Sequence, residues 1–172
     1  MKIKLLFVVN VDWFFISHRL IIAEEAMKKG FDVFVACEDT GRSNEITDKG
    51  IKFIDFSFSR SGTNIISELG TIIKFYKIYN EIKPDLVHHI TLKPVIYGTL
   101  ISRLFKLKGI VNAVSGLGYI FTADRKGFVQ KIMIQLLRIG FKRNNLTIIF
   151  QNEDDKKVFQ DLQIISSINN IV

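Results

Sequence analysis

Three histidines, two cations and a glycine-bearing turn are the parts of this sequence with chemistry to offer. His18 and Arg19 come just after Asp12, Trp13 and Phe14. His88 and His89 are neighbours, and Lys93 follows them closely. An imidazole can move a proton near neutral pH or orient a hydroxyl, and a guanidinium or ammonium can hold an anion. The segment Ser115, Gly116, Leu117 and Gly118 offers backbone instead: its two glycines permit positive φ and a close main-chain approach to a ligand. It is not a complete GxGxxG, because Phe121 stands where the third glycine belongs, and the chain has no P-loop. A metal centre is not expected. Adjacent histidines on a strand point to opposite faces, and there is neither HExxH nor a cysteine cluster.

The elements that must position these groups follow from hydrophobic periodicity. Short apolar runs predict strands at Ile3–Val9, Phe31–Cys37, Ile51–Phe56, Asp85–Ile90, Ile110–Gly116 and Leu146–Asn152. The third alternates, which suggests a place near the sheet edge. Helical spacing predicts helices at His18–Gly30, Ser43–Gly50, Asn64–Lys83, Lys93–Gly109, Phe128–Arg143 and Glu153–Leu162, with the final INNIV able to begin another strand. Such βα alternation predicts an α/β fold, a Rossmann-like, doubly wound parallel sheet flanked by helices. Ligands of that architecture sit beyond the carboxyl ends of the strands. All three histidines, Arg19, Lys93 and the Ser115–Gly118 turn fall at that edge, so at least one histidine is expected to be functional.

A chain of 172 residues, 48% hydrophobic, suits one domain with a proper core. Its formal charge of +7 favours an anionic partner: a phosphate, an anionic membrane surface or a nucleic acid. Nucleic acid is set aside, because no recognition motif is present and the rings fall on apolar faces. Cys37 is the only cysteine, which excludes a disulfide framework and reads as a small core residue. The Phe128–Arg143 helix carries Lys131, Arg138 and Lys142 along one side of an apolar body. That pattern fits either ordinary core packing or contact with an anionic membrane. No apolar run approaches the roughly 18 residues of a membrane span, so a soluble or peripheral protein is expected.

Three segments together carry a family resemblance: Phe14, Phe15, His18 and Arg19 after the first strand, HHITLKPVIYG after the fourth and VSGLGYIFT after the fifth. They resemble the N-terminal domain of family-4-like glycosyltransferases of bacterial capsular polysaccharide, O-antigen and lipid-linked oligosaccharide assembly. The resemblance implies the acceptor-side half of a GT-B enzyme over residues 1–172, with the nucleotide-sugar domain beyond them. It implies transfer with retention of configuration, no cofactor and no essential metal, the nucleotide sugar being a co-substrate. The acceptor would be a saccharide or polyprenyl-linked sugar, and the protein cytoplasmic or peripheral at the inner face of the inner membrane. Arg19, Lys93 and the amides near Gly116 and Gly118 would stabilise the leaving diphosphate. His18, His88 or His89 would orient the acceptor hydroxyl or donor sugar, and Trp13 and Phe14 would stack on sugar or lipid. Many members have a glycine-rich turn after the first strand; here it is NVDWFFISHR, which suggests an aromatic and basic acceptor wall. Two other readings share the fold: a sugar-nucleotide 2-epimerase half, and a non-catalytic membrane-recruiting subunit of a two-part transferase.

Overall fold

The computed structural model describes residues 2–58, 65–114 and 127–172. Among the described residues seven strands are formed: β1 (Lys4–Val11), β2 (Asp32–Glu38), β3 (Lys52–Asp55), β4 (Leu86–Ile90), β5 (Gly109–Val114), β6 (Leu146–Phe150) and β7 (Asn170–Ile171). All neighbours pair in parallel, in the order β3-β2-β1-β4-β5-β6-β7. The expected doubly wound sheet is therefore formed. β3 lies at one edge, as its alternation suggested, and INNIV supplies the opposite edge strand. The order reverses between β1 and β4, which makes their carboxyl ends the switch point where such folds bind ligands.

Between the strands lie α1 (Asp12–His18), α2 (Leu20–Lys28), α3 (Ser43–Thr47), α4 (Ile65–Ile82), α5 (Thr99–Ile101), α6 (Phe128–Phe141) and α7 (Glu153–Asp161). The central strands are apolar on both faces because helices cover both. On one face Phe7, Val9, Val35 and Ile90 pack against Phe15, Ala23 and Ile46 of α1–α3. On the other, Leu6, Val8, Val87 and Ile110 pack against Phe75 and Tyr79 of α4, Leu137 of α6 and Phe159 of α7. Cys37 lies in the first of these cores, and burial pushes its thiol pKa up. That leaves no reactive thiolate.

Two helices differ from the sequence reading. The first begins at Asp12, directly after β1, and breaks at Arg19, whose φ of −132° leaves the helical region. Trp13–Ser17 is thus helical, not a turn. It was hidden because Val11 provides no side-chain cap. The expected Lys93–Gly109 helix is instead a π-helical turn (Pro94–Gly98), then α5, then a 3₁₀ turn (Ser102–Leu104). A core histidine explains the local requirement for glycine here: a Cβ at Gly98 would stand 2.5 Å from His89 Nε2.

Candidate functional site

The carboxyl end of β1 is irregular. β1 and β2 pair in register to Val8↔Ala36 and resume at Val11↔Glu38, so β1 holds one extra residue there. Such bulges re-aim the side chains beyond them. Asn10 accepts a 2.6 Å hydrogen bond from the Thr91 hydroxyl just past β4, which ties the two strand ends together. Thr91 has φ +73°, a left-handed conformation costly for a β-branched residue.

Asp12 is fully buried and anchors the site. Its Oδ1 accepts from Trp13 N at 2.6 Å and from the Thr40 hydroxyl, and its Oδ2 from Thr40 N at 2.7 Å and Arg42 N at 3.0 Å. Burial alone would raise its pKa. The Thr40 hydroxyl and the backbone N–H groups of Arg42, Thr40 and Trp13 outweigh burial and hold it below the usual carboxylate value. Asp12 is thus a clamp between the start of α1 and the β2–α3 loop, with its lone pairs already engaged. That loop was overlooked in the sequence; its polar run DTGRS and Gly41, at φ +101°, were the available signals.

Helix α1 sorts its rings by periodicity. Phe15 points inward and packs edge-on against Phe7, with centroids 5.6 Å apart. Trp13 points outward, 44% exposed. Phe14 contacts Trp13 edge-on and stacks on His18, at 4.3 Å and 13° between planes. His18 Nδ1 lies 2.7 Å from Ser17 Oγ, and the ring is exposed. Trp13, Phe14 and His18 therefore form one contiguous outward surface.

Beneath α1 the polar groups are buried. His88 packs against the Phe7 ring at 5.2 Å, and its Nε2 has no hydrogen-bond partner among the described residues. Burial, aided by nearby Arg19 and His89, lowers its pKa to about 3, so the ring is neutral at physiological pH. Arg19 donates from Nη1 to the His18 carbonyl at 2.9 Å, while its Nε is buried without a partner among the described residues. Burial lowers its pKa too, but a guanidinium stays charged. The switch point thus holds a fixed positive charge and a neutral imidazole, each with a buried nitrogen that no described residue pairs.

His89 faces the other way, as the two-residue strand period requires. It is fully buried; Nδ1 lies 2.8 Å from Asn112 Oδ1, and Nε2 meets the Tyr79 hydroxyl. An Nδ1–H donating to Asn112, with Nε2 accepting from Tyr79, satisfies both nitrogens. Asn112 Nδ2 in turn donates to Thr99 Oγ1 at 2.8 Å. Burial lowers the His89 pKa to about 4, against the raising effect of the Asn112 bond. His89 is separated from His88 by the sheet itself.

Lys93 is not free to meet an anion. Its ammonium pairs with Glu68 of α4 at 2.7 Å, with the two side chains only 14% and 17% exposed. Glu68 also bears on the Tyr97 hydroxyl, whose pKa is raised by burial and by this neighbouring carboxylate. On α6, Arg138 spends its guanidinium on the Leu162 carbonyl at the end of α7, whereas Lys131 and Lys142 are exposed. Ser115, Gly116, Leu117 and Gly118 lie outside the described residues. The structure therefore brings Asp12, Trp13, Phe14, His18, Arg19 and His88 together at the β1–β4 switch point, with Asn10 and Thr91 added.

Comparisons with known proteins fit this geometry. The chain is 24% identical over 134 residues to an Escherichia coli "UDP-Gal:alpha-D-GlcNAc-diphosphoundecaprenol alpha-1,3-galactosyltransferase", covering 78% of this chain and 34% of that protein. It is 24% identical over 146 residues to a Campylobacter jejuni "N,N'-diacetylbacillosaminyl-diphospho-undecaprenol alpha-1,3-N-acetylgalactosaminyltransferase", covering 84% and 39%. The chain spans between about a third and two fifths of these relatives. In fold it is similar to a glycosyltransferase from Rickettsia africae (TM-score 0.63, 13% identity, 99% of this chain and 42% of that one). It is equally similar to a UDP-N-acetylglucosamine 2-epimerase from Rickettsia bellii (TM-score 0.64, 14% identity, 99% and 44%). The family model described as "Glycosyl transferase 4-like" matches residues 4–152, so this chain belongs to the glycosyl transferase 4-like family.

Proposed function

We propose that residues 1–172 are the acceptor-side domain of a retaining glycosyltransferase. It moves a sugar from a nucleotide-sugar donor to a lipid-linked saccharide during surface-polysaccharide assembly. The observation that carries this reading is the surface of Trp13, Phe14 and His18 beside half-buried Arg19 at the switch point of a family member. Rings present apolar faces to a sugar, and the cation suits a diphosphate. The names of both relatives specify a diphospho-undecaprenol acceptor.

In this reading Trp13 and Phe14 form the acceptor wall, and His18 orients the reacting hydroxyl. Arg19 as a cation and His88 as a neutral ring dipole stabilise developing negative charge from beneath α1. The amides of Gly116 and Gly118 add to this. Asp12 and His89 are positioning residues, and Lys93 acts through Glu68. No metal is needed, and the donor's main contacts lie in a second domain. Residues 1–172 alone therefore transfer no sugar, and the whole protein works at the inner face of the inner membrane.

Steady-state kinetics of the full-length protein test the assignment. Trp13→Ala and His18→Ala should lower kcat/KM for the acceptor at least tenfold, with an unchanged melting temperature and donor KM. Near-wild-type kinetics in both would sink the acceptor-wall assignment. The epimerase reading is favoured by one observation, the equal fold similarity to a 2-epimerase. Interconversion of a UDP-sugar at C2 with no acceptor present would establish it.

A further inference from the structure

The side of the sheet that carries α4–α6 is the more basic one and exposes Leu69, Ile73, Tyr76, Leu104 and Ile139; α7 on that side adds four acids against two Lys, and α1 and α2 expose Trp13, Ile21 and Ile22 on the other. Residues 12–50, which hold α1–α3, carry eight acids against five Lys and Arg. Residues 65–108 and 127–145, which hold α4–α6, carry eleven Lys and Arg against three acids. On α4 the exposed apolar residues Leu69, Ile73 and Tyr76 are spaced four and three apart, which puts them on one stripe. The stripe is about 10 Å long at 1.5 Å per residue. It runs from the carboxyl edge of the sheet toward the amino edge, because α4 is antiparallel to the strands it connects.

There it meets a basic groove. Tyr76 touches the ring of Phe105 at 5.5 Å, and Phe105 lines an open groove of about 650 Å³ with Arg103, Lys106, Lys108, Lys142 and Arg143. No acid lines this groove; Asp85 pairs with Lys108 beside it, at 2.9 Å. Leu104, 68% exposed, is next in sequence to two of the lining residues, and Ile139 of α6 is exposed on the far side. Arg103 joins α5 to α6 by donating to the Ile139 and Lys142 carbonyls at 3.0 and 3.2 Å. The Tyr76–Phe105 contact thus joins the apolar stripe of α4 to the basic groove.

We infer that this face, made by the α4 stripe, Leu104 and the basic groove, docks on an anionic phospholipid bilayer. The chemistry selects that occupant. Apolar side chains enter the acyl boundary while Lys77, Lys106 and Lys142 meet headgroup phosphates. A second copy is a poor partner, because a two-fold interface would set the same cations against each other. The inference rests on the membrane-borne acceptor proposed above only for its purpose. The stripe begins at the carboxyl edge of the sheet, the edge at which Trp13 and His18 stand on the opposite face.

Co-sedimentation of the full-length protein with phosphatidylcholine vesicles, with and without equimolar phosphatidylglycerol, tests it. Binding should require phosphatidylglycerol and weaken with salt. Lys77→Glu/Lys106→Glu should weaken it at least tenfold, and Ile73→Ser/Leu104→Ser at least fivefold. Lys28→Glu/Lys29→Glu, an equal charge change on the opposite side, should leave it within twofold. Circular dichroism melting should be unchanged in all three variants. Binding without phosphatidylglycerol, equal loss in the Lys28/Lys29 control, or concentration-dependent dimers abolished by Ile73→Ser/Leu104→Ser with no vesicle binding would overturn the inference. No vesicle binding by the wild-type protein, with intact transfer to a water-soluble acceptor, would overturn it and leave the transferase reading standing.

Discussion

Replacing Asp12 with asparagine removes one charge and almost no volume, so its effect isolates the clamp at the start of α1. The carboxylate accepts four hydrogen bonds: two from backbone N–H groups at Oδ2, and one each from Trp13 N and the Thr40 hydroxyl at Oδ1. Asparagine has one oxygen. Directed at Thr40 N and Arg42 N it keeps those two bonds, and the Thr40 hydroxyl can rotate to accept from the new amide. Trp13 N is then left facing another donor. One buried donor without an acceptor costs about 1–3 kcal/mol, and the surviving bonds lose their charge assistance, a further cost of about 1 kcal/mol. Asp12→Asn should therefore lose about 2–4 kcal/mol in urea denaturation at pH 7, with an unchanged m-value. Hydrogen exchange should show faster exchange at Thr40 and Arg42. The sign with pH is fixed as well. The folded-state pKa of Asp12 is lowered, so its contribution is complete above the unfolded value near 3.9 and is lost as pH falls through the folded value. The gap between wild type and variant should thus narrow below pH 4. A loss under 0.5 kcal/mol, or a gap that widens on acidification, would refute the clamp.

Three other outcomes are expected. Gly98→Ala puts a Cβ 2.5 Å from His89 Nε2 and 3.0 Å from Phe75 Cε1, and should cost about 1–3 kcal/mol by overpacking; a neutral result in thermal melts would contradict the packing described. Lys93→Met leaves Glu68 buried without its cation and should cost about 2 kcal/mol, while the double variant Lys93→Met/Glu68→Leu should regain most of it; additivity in the cycle would show that the pair is uncoupled. His88 and His89 are held neutral, with pKa values lowered to about 3 and about 4, so the unfolded chain binds protons that the fold refuses. Stability should be complete above pH 6.5 and fall toward pH 4 by up to about 1.4 kcal/mol per pH unit per histidine, and His88→Phe should flatten that slope.

Most of the fold was legible because strands buried on both faces declare themselves as apolar runs, and Gly30 and Gly50 close their helices at positive φ. The two-residue strand period also separated His88 from His89 correctly. What escaped depends on partners distant in sequence. Lys93 looked like an anion ligand until the fold brought Glu68 beside it, and Asp12 looked like a substrate contact until Thr40 and Arg42 closed on it. The Tyr79–His89–Asn112 network joins α4, β4 and β5, and no local pattern announces it. Helix α1 escaped because its side chains are bulky and its cap is absent; it is held by Phe15 on Phe7 rather than by propensity.

The most direct test of the central claim is the product formed by the full-length protein from a panel of UDP-sugars and a short polyprenyl-diphosphate-linked sugar. Nuclear magnetic resonance of that product should show one added sugar in the anomeric configuration of the donor. No transfer to the lipid-linked acceptor, an inverted linkage, or a UDP-sugar changed at C2 with the acceptor untouched would contradict it.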